Sequence, residues 1–468
     1  MNLLLRNVQV DGVPTDVAIE GDRISAIGPR LPVPSDAIVV DGARGALLPG
    51  LHDHHLHLLA LAAAYTSVRI RPGDGGDLHG FASDLRAADA RLSTGSWLRA
   101  VGYHDRTGAP PDRWVLDEIV SDRPVRVQHR SGALWVLNSA GLDALGLLTG
   151  APPEGCELLA DGTPTGRLWR LDAWLADRLP VDPPELGAVG RRLCTLGITG
   201  VTDATPAADF SRFDRLALSS RLGEIPQRIV VTGAPELDID SVPSPLTVGP
   251  AKILLPDHDL PSLDELVHQM RAARAADRSV AVHCVTRHAL VLTLAAIDEV
   301  GALPGDRLEH GAVIPSALYS AIRAHGLTVV TQPNFVAERG DDYLTDVARE
   351  DLGDLWPCAS LLDAGIAVGA GTDAPFGDED PWRLIHAASQ RRSPSGATVG
   401  ADERIPAARA LEMLLSDHRQ PGGPARRIAV GAPGDLCLLH TSLPAALAAL
   451  PDNPVRAVVI RGSLHEPA

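Results

Sequence analysis

The chain has 468 residues, 45% of them hydrophobic and 22% charged, with a formal net charge of −17 at neutral pH. That composition can bury a large core. The acidic balance excludes nucleic acid and anionic membrane as partners, because both need a basic surface.

The N-terminal stretch "MNLLLRNVQVDGVPTDVAIEGDRIS" breaks its apolar run at Arg6. It lacks a basic segment followed by a long apolar one, so no signal peptide is expected. No run of about 18 apolar residues follows either, so no membrane span is expected. Five scattered cysteines form no disulfide framework and suit a reducing compartment, so a cytoplasmic location is expected. The first 50 residues read as short strands with Gly and Asp turns. The last 35, with "GDLCLLHTS" and "VRAVVIRGSL", return to that style. Chain ends commonly lie close together, so both termini are expected to build one small sheet domain.

The middle repeats a different pattern. Short apolar runs occur at 46–57, 197–206, 226–234, 251–257, 279–286, 306–313, 327–335 and 365–375. The gaps after the second run mostly hold helical patterns. "SLDELVHQMRAARAA" starts with Ser262 as an N-cap, followed by Asp264 and Glu265. "HALVLTLAAIDEVG" and "PSALYSAIRAHG" close on glycine. Eight buried strands alternating with helices predict an α/β fold, a (β/α)8 TIM barrel. About 140 residues between the first two runs are too many for a structureless loop and predict an α+β insertion after barrel strand 1. The expected domains are a β-sandwich from 1–48 and 425–468, a barrel from 49–66 and 191–424, and an insert at 67–190.

Barrel enzymes carry their reactive groups at the C-terminal ends of strands. Those ends hold His55, His57, Lys252, His283, His310 and Asp373. One buried histidine usually just satisfies a backbone partner. Metal-compatible groups at five strand ends point instead to a metal centre. In "HDHHLH", strand alternation puts His55 and His57 on one side with Asp53, and His52 and His54 on the other. The pair nearer the strand's C-terminal end, His55 and His57, is expected to face inward.

Lys252 is the only lysine; every other cation is arginine. An ammonium cannot coordinate a cation. Burial favours the neutral amine, however, which can capture CO2 as a carbamate and so bridge two metal ions. Arginine stays protonated and cannot do this. His283 and His310 would supply neutral imidazoles. Asp373 can bind metal and also take a proton from water. Gln332 and Asn334, at the end of strand 7, are candidate substrate contacts. So are Tyr103, His104, Arg130, Trp135, Arg170 and Arg339 in the insert and loops. The arginines hint at a carboxylate-bearing substrate.

The motifs "LPGLHDHHLH", "AKI", "VAVHC", "RLEHG" and "GTDAP", with "LRAVGYHD" and "SGALWVLNSAGL" in the insert, resemble the amidohydrolase superfamily. The nearest branch is amidohydrolase family 3, which includes N-substituted formamide deformylases and D-aminoacylase-like enzymes. The resemblance implies two divalent metal ions, with zinc the usual choice. His55, His57 and Asp373 would hold the more buried ion. The CO2-derived carbamate on Lys252 would bridge to a second ion on His283 and His310. It further implies hydrolysis of a non-peptide C–N bond in an amide, N-acyl or N-formyl compound, by a metal-bridging hydroxide with Asp373 as general base and acid. A small-molecule substrate follows, and a homodimer stays open. Ester, phosphoester or cyclic-amide hydrolysis and ring deamination are the alternatives on the same centre. A non-enzymatic protein on a decayed barrel would have lost ligands, and none is missing. The chain departs from the branch pattern at Gly132-Ala133, at Arg170, and at Asp257-His258 after the lysine strand, so the substrate is not inherited with the metal centre.

Overall fold

A computed structural model describes residues 2–70, 78–104, 110–179, 185–206, 210–256 and 259–466. Asp257 and His258 lie outside the described residues. The chain divides into two compact units, Met1–Leu58 with Leu186–Ala468, and Leu59–Glu185.

Both chain ends lie in the first unit. Strand Asn2–Val10 pairs antiparallel with Val13–Glu20 and parallel with Ala37–Asp41, and Arg23–Gly28 completes that sheet. Asp11 and Gly12 turn the first hairpin with positive φ values of 49° and 78°, the conformation a two-residue Asp-Gly turn requires. A second, antiparallel sheet joins Leu47–Pro49, Leu436–Leu439, Val455–Ile460 and Ser463–His465. Leu3, Leu5, Val17 and Ile19 from one end share an apolar cluster with Leu436, Leu438 and Val459 from the other.

Two parallel sheets form the rest of this unit. One orders Thr247–Val248, Arg228–Val231, Ile198–Asp203 and Leu51–Leu56. The other orders Ala251–Ile253, Val280–Cys284, Arg307–His310, Thr328–Thr331 and Val368–Ala370. Leu51–Leu56 and Ile198–Asp203 are buried at every residue, as expected for parallel strands covered on both faces. Main-chain hydrogen bonds also run between edge segments of the two sheets: Lys252 N to Gly233 O at 2.8 Å, and Asp373 N to His55 O at 2.7 Å. Helices alternate with the strands. Leu263–Ala275 starts in a full capping box between Ser262 and Glu265. Arg287–Val300 is capped by Thr286 and closes at Gly301 with φ 80°. The run at 327–335 is shorter as a strand than expected. It ends at Thr331, and Asn334 already opens a helix, Asn334–Asp346. Pro333 precedes it at φ −64°, an angle ready-made for helix entry.

The second unit holds a six-stranded mixed sheet, with Val125–His129 and Leu134–Leu137 at its centre. Helices Leu78–Asp89 and Arg113–Ile119 contribute to its core through Phe81, Leu85 and Leu116. No helix among the described residues is long and apolar enough to cross a membrane.

Candidate metal centre

All six expected ligands lie in the first unit. The histidine strand, Leu51–Leu56, alternates as expected. His52 Nε2 bonds Thr202 Oγ1 at 2.9 Å and His54 Nε2 bonds Ser416 Oγ at 3.0 Å. His55 and His57 instead meet Asp373. Its Oδ1 lies 3.6 Å from His55 Nε2 and 3.2 Å from His57 Nε2. One ligand atom from each of these three residues falls within 4.8 Å of the others. The His310 ring centroid is 4.8 Å from that of His55 and 4.4 Å from that of His283.

Local backbone shapes this convergence. Gly371 follows the Val368–Ala370 strand, and a Cβ there would sit 2.4 Å from the His55 backbone nitrogen. Only glycine lets the two segments run side by side. His310 and Asp373 both sit at positive φ, 70° and 56°. In a regular strand Glu309 and its neighbour His310 would face opposite ways. The left-handed turn at His310 lets both serve one site. Asp53 holds the Asp373 segment in place. Its carboxylate accepts from Thr372 Oγ1 at 2.6 Å, Thr372 N at 3.1 Å and His55 N at 3.0 Å, and burial pushes its pKa up to about 7.

A metal-binding imidazole needs its second nitrogen held by a partner, which fixes the tautomer. Three of the four histidines have one. His55 Nδ1 meets Glu309 Oε2, His57 Nδ1 meets Thr205 Oγ1 at 3.0 Å, and His310 Nδ1 meets Gln332 Oε1 at 2.8 Å. Donation from Nδ1 leaves Nε2 of His55 with a lone pair, aimed at a carboxylate oxygen. Two electron-pair donors face each other with no proton between them, and a cation answers that geometry. Burial, with Lys252 among the next causes, holds the pKa values of His55, His283 and His310 well below the usual imidazole range, so all three are neutral. Burial opposes the Asp373 charge too. The contact from His57, with His55 and Lys252 close by, outweighs it and holds that pKa below its usual value.

Lys252 is 3% exposed, and its Nζ has no hydrogen-bond partner. It pairs in register with Ala281, and His283 with Glu309, so Lys252, His283 and Glu309 share a face. Burial lowers its pKa, against the pull of Glu309 and Asp373. A buried amine without a partner, among imidazoles, suits the bridging chemistry expected of it. The residues present therefore fit a divalent metal centre.

Sequence reasoning missed Glu309, Thr205 and Arg307. Glu309 is fully buried and pairs through Oε1 with Arg307 Nε at 2.5 Å. The available signal was a carboxylate inside an apolar strand, which must have a charged or donating partner. Gln332, expected at the substrate, has its Oε1 on His310 and its Nε2 3.5 Å from Val330 O. Asn334 donates to Thr372 O at 3.1 Å and Glu338 Oε1 at 3.0 Å. Gln332 thus touches one candidate ligand directly, and Asn334 the residue before another. Arg339 stacks over the Phe335 ring at 4.2 Å. Tyr103, His104, Arg130, Trp135 and Arg170 belong to the second unit. There Trp135 Nε1 donates to Asp172 Oδ1 at 2.8 Å, and its ring lies under Arg99 and Arg126. Tyr103 packs on Phe81, His104 Nδ1 lies 3.5 Å from His129 Nε2, and Arg170 N donates to Ala133 O at 2.8 Å. Arg130 N donates to Tyr103 O at 2.7 Å.

The chain is similar to known proteins over most of its length. The profile of the amidohydrolase family matches residues 39–464. The chain is 26% identical over 467 aligned residues to N-substituted formamide deformylase of Arthrobacter pascens, covering 87% of this chain and 86% of that one. It is 25% identical over 432 residues to the putative amidohydrolase YtcJ of Bacillus subtilis, covering 81% and 80%. Among solved structures, an uncharacterized metal-dependent hydrolase from Pyrococcus horikoshii superposes with a TM-score of 0.69 at 19% identity, over 88% of this chain and 92% of that one. That likeness is one of fold. With nearly its whole length inside the family's profile, the chain belongs to the amidohydrolase family and is an enzyme, a hydrolase acting on carbon–nitrogen bonds other than peptide bonds.

Proposed function

We propose that the chain hydrolyses an amide, N-acyl or N-formyl bond of a small molecule at a binuclear centre. The carrying observation is the approach of His55 Nε2 and His57 Nε2 to Asp373 Oδ1, at 3.6 and 3.2 Å, beside a buried Lys252 Nζ without a partner. His55, His57 and Asp373 would hold one divalent ion. His283 and His310 would hold a second, and Lys252 would reach both as its carbamate. Imidazole and carboxylate donors suit zinc. Bound ions of this kind supply Lewis acidity at a carbonyl and lower the pKa of water to about 7. Asp373 takes the proton of the attacking water at its carboxylate and returns it to the leaving nitrogen. Glu309 keeps the His55 lone pair on the reacting side, and Gln332 does the same for His310. The name of the Arthrobacter relative, a formamide deformylase, supports an N-formyl or N-acyl compound.

We also propose that the two parallel sheets are the halves of one closed (β/α)8 barrel, with a sandwich from the chain ends and the second unit as an insert after its first strand. None of the five cysteines is in a disulfide, in keeping with a cytoplasmic location.

The test is metal analysis of zinc-grown protein, followed by assay on a panel of N-formyl compounds, N-acetyl compounds, esters and lactams. Two ions per chain with turnover of amides is the expected result. Clearly less than one ion per chain, or turnover of esters alone, overturns the proposal.

A further inference from the structure

Of the three residues whose ligand atoms converge, His57 is the most exposed. Its side chain is 15% accessible, against 1% for His55 and 9% for Asp373. It also lies one residue beyond the strand Leu51–Leu56, where the ladder has ended. Its Nε2 can meet a cation only while Nδ1 carries the proton and has an acceptor. A turn after the neighbouring strand, Ile198–Asp203, supplies that restraint.

Asp203 is fully buried, and its two carboxylate oxygens grip both sides of the His57 contact. Oδ2 accepts from Leu58 N, next to His57 in the chain, at 3.0 Å. Oδ1 accepts from Thr205 N at 3.1 Å, and Thr205 Oγ1 lies 3.0 Å from His57 Nδ1. Thr232 N and Oγ1 both donate to Asp203 O at 3.1 Å, which pins the turn from the next strand. An isolated buried carboxylate would take up a proton. Arg212, 7% exposed, prevents this: its Nη2 meets Oδ1, and its Nη1 donates to Thr205 O at 3.3 Å. Burial opposes the Asp203 charge, but Arg212, His57 and then the hydroxyl and N–H of Thr205 outweigh it and hold that pKa below its usual value. A hydroxyl has one proton. Directed at the carboxylate, it leaves only lone pairs for His57, and Nδ1 must then donate.

We propose that Asp203 is a positioning residue for His57. Its carboxylate, held charged by Arg212, makes the Thr205 hydroxyl an acceptor for His57 Nδ1–H and so keeps the Nε2 lone pair turned toward Asp373 Oδ1. This rests on the metal centre proposed above. The arrangement differs from that at His55, whose Nδ1 meets the carboxylate of Glu309 directly.

Metal-free protein titrated with zinc against a chromogenic chelator tests it. Asp203→Asn is expected to weaken one of two ions about tenfold, the low end for groups that act from behind a ligand, and to leave the other at wild-type affinity. Thr205→Val should do the same, and Thr205→Ser, which keeps the hydroxyl, should match the wild type. The two groups share one route, so Asp203→Asn with Thr205→Val should cost no more than the worse single substitution. A loss near the product of the two, about a hundredfold, means separate actions and overturns the route. Wild-type affinity for both ions in Asp203→Asn overturns the assignment, because a merely structural pair lowers the denaturation midpoint and moves neither affinity. Asp203→Asn leaves Arg212 without its counter-ion. If that variant does not fold, Asp203→Asn with Arg212→Met removes both charges together and is read the same way. Wild-type protein that binds no zinc overturns the centre itself. Unchanged affinities in variants of a two-ion protein overturn only the part given to Asp203.

Discussion

Glu309 offers the sharpest check on the metal centre, because it has two separable partners. Its Oε2 meets His55 Nδ1 and its Oε1 lies 2.5 Å from Arg307 Nε, with both partners essentially buried. Glu309→Gln keeps volume and an acceptor but removes the charge. Two losses follow. Arg307 is left as a buried charge without its counter-ion. Breaking a buried pair costs about 3–5 kcal/mol, and the retained amide oxygen should place this substitution near 3. His55 in turn loses the anion that fixes its tautomer. Changes of that kind typically cost 10–100-fold in metal affinity or activity, equivalent to about 1.4–2.7 kcal/mol. Denaturant unfolding of the metal-free protein measures the first loss, and zinc competition against a chromogenic chelator measures the second. If the variant is destabilised yet binds zinc with wild-type affinity and turns over normally, Glu309 serves Arg307 alone and the orientation argument for His55 is wrong.

Lys252→Ala should abolish turnover, with partial recovery in excess bicarbonate or a short carboxylic acid that stands in for the bridging oxygens; wild-type-like rates would remove the lysine from the centre. Asp373→Asn should keep most of the metal and lose about 10²–10⁴-fold in rate, the usual share of a proton-transfer group, as metal analysis and kcat together would show. Among the thiols, burial pushes Cys194 and Cys358 up to about 11 and Cys437 to about 12, and Cys284 is buried as well. A thiol-reactive chromogen should therefore label about one group per native chain, Cys156. Burial and the Glu157 charge raise that thiol above its usual 9.0. The thiolate is the reactive form, so the labelling rate should still be climbing past pH 9; a plateau below that pH would contradict the shift.

The six candidate ligand positions were readable as the ends of apolar runs, and three of them, His55, His57 and Asp373, offer ligand atoms within 4.8 Å of one another. Lys252 stood out by rarity, since a lone lysine among arginines marks a place where the guanidinium fails chemically. The supporting groups were harder. Glu309 adjoins His310, and once His310 is set in the site, strict alternation turns Glu309 away; nothing in the sequence announces the left-handed residue at 310 that lets both face it. For Gln332 the place was readable but not the partner: Pro333 follows a strand that ends at Thr331 and precedes a helix, and the amide oxygen lies on His310. Thr205 follows Asp203 in an ordinary-looking turn, and only the folded chain brings its hydroxyl to His57, 148 residues away. Side chains that act on a ligand from behind are fixed by long-range packing, which no local period records.

Backbone strain gathers around the candidate ligands and the segments that hold them. Among the described residues, twelve other than glycine have positive φ, and most sit in exposed turns where water and short polar side chains make the conformation cheap. Four are buried: His310, Trp356, Asp373 and Arg391. Each such residue costs about 1–3 kcal/mol, so burying four at random would strip much of a domain's net stability. They are not scattered at random. Arg391 ends its helix left-handed, which brings its guanidinium onto the carbonyls of Leu355 and Trp356. Trp356 hands its N–H to Ala312, two residues past His310. His310 turns so that it and Glu309 reach the same site, and Asp373 turns to meet His55 and His57. Three hydrogen bonds of 2.7 to 2.8 Å from Arg391 alone offset this strain. A hydrolase needs its ligands held before the substrate arrives, because reorganisation during the reaction would add to the barrier. The strained residues lie where the chain must override its own alternation, and the fully buried arginine is the counterweight that makes the override stable.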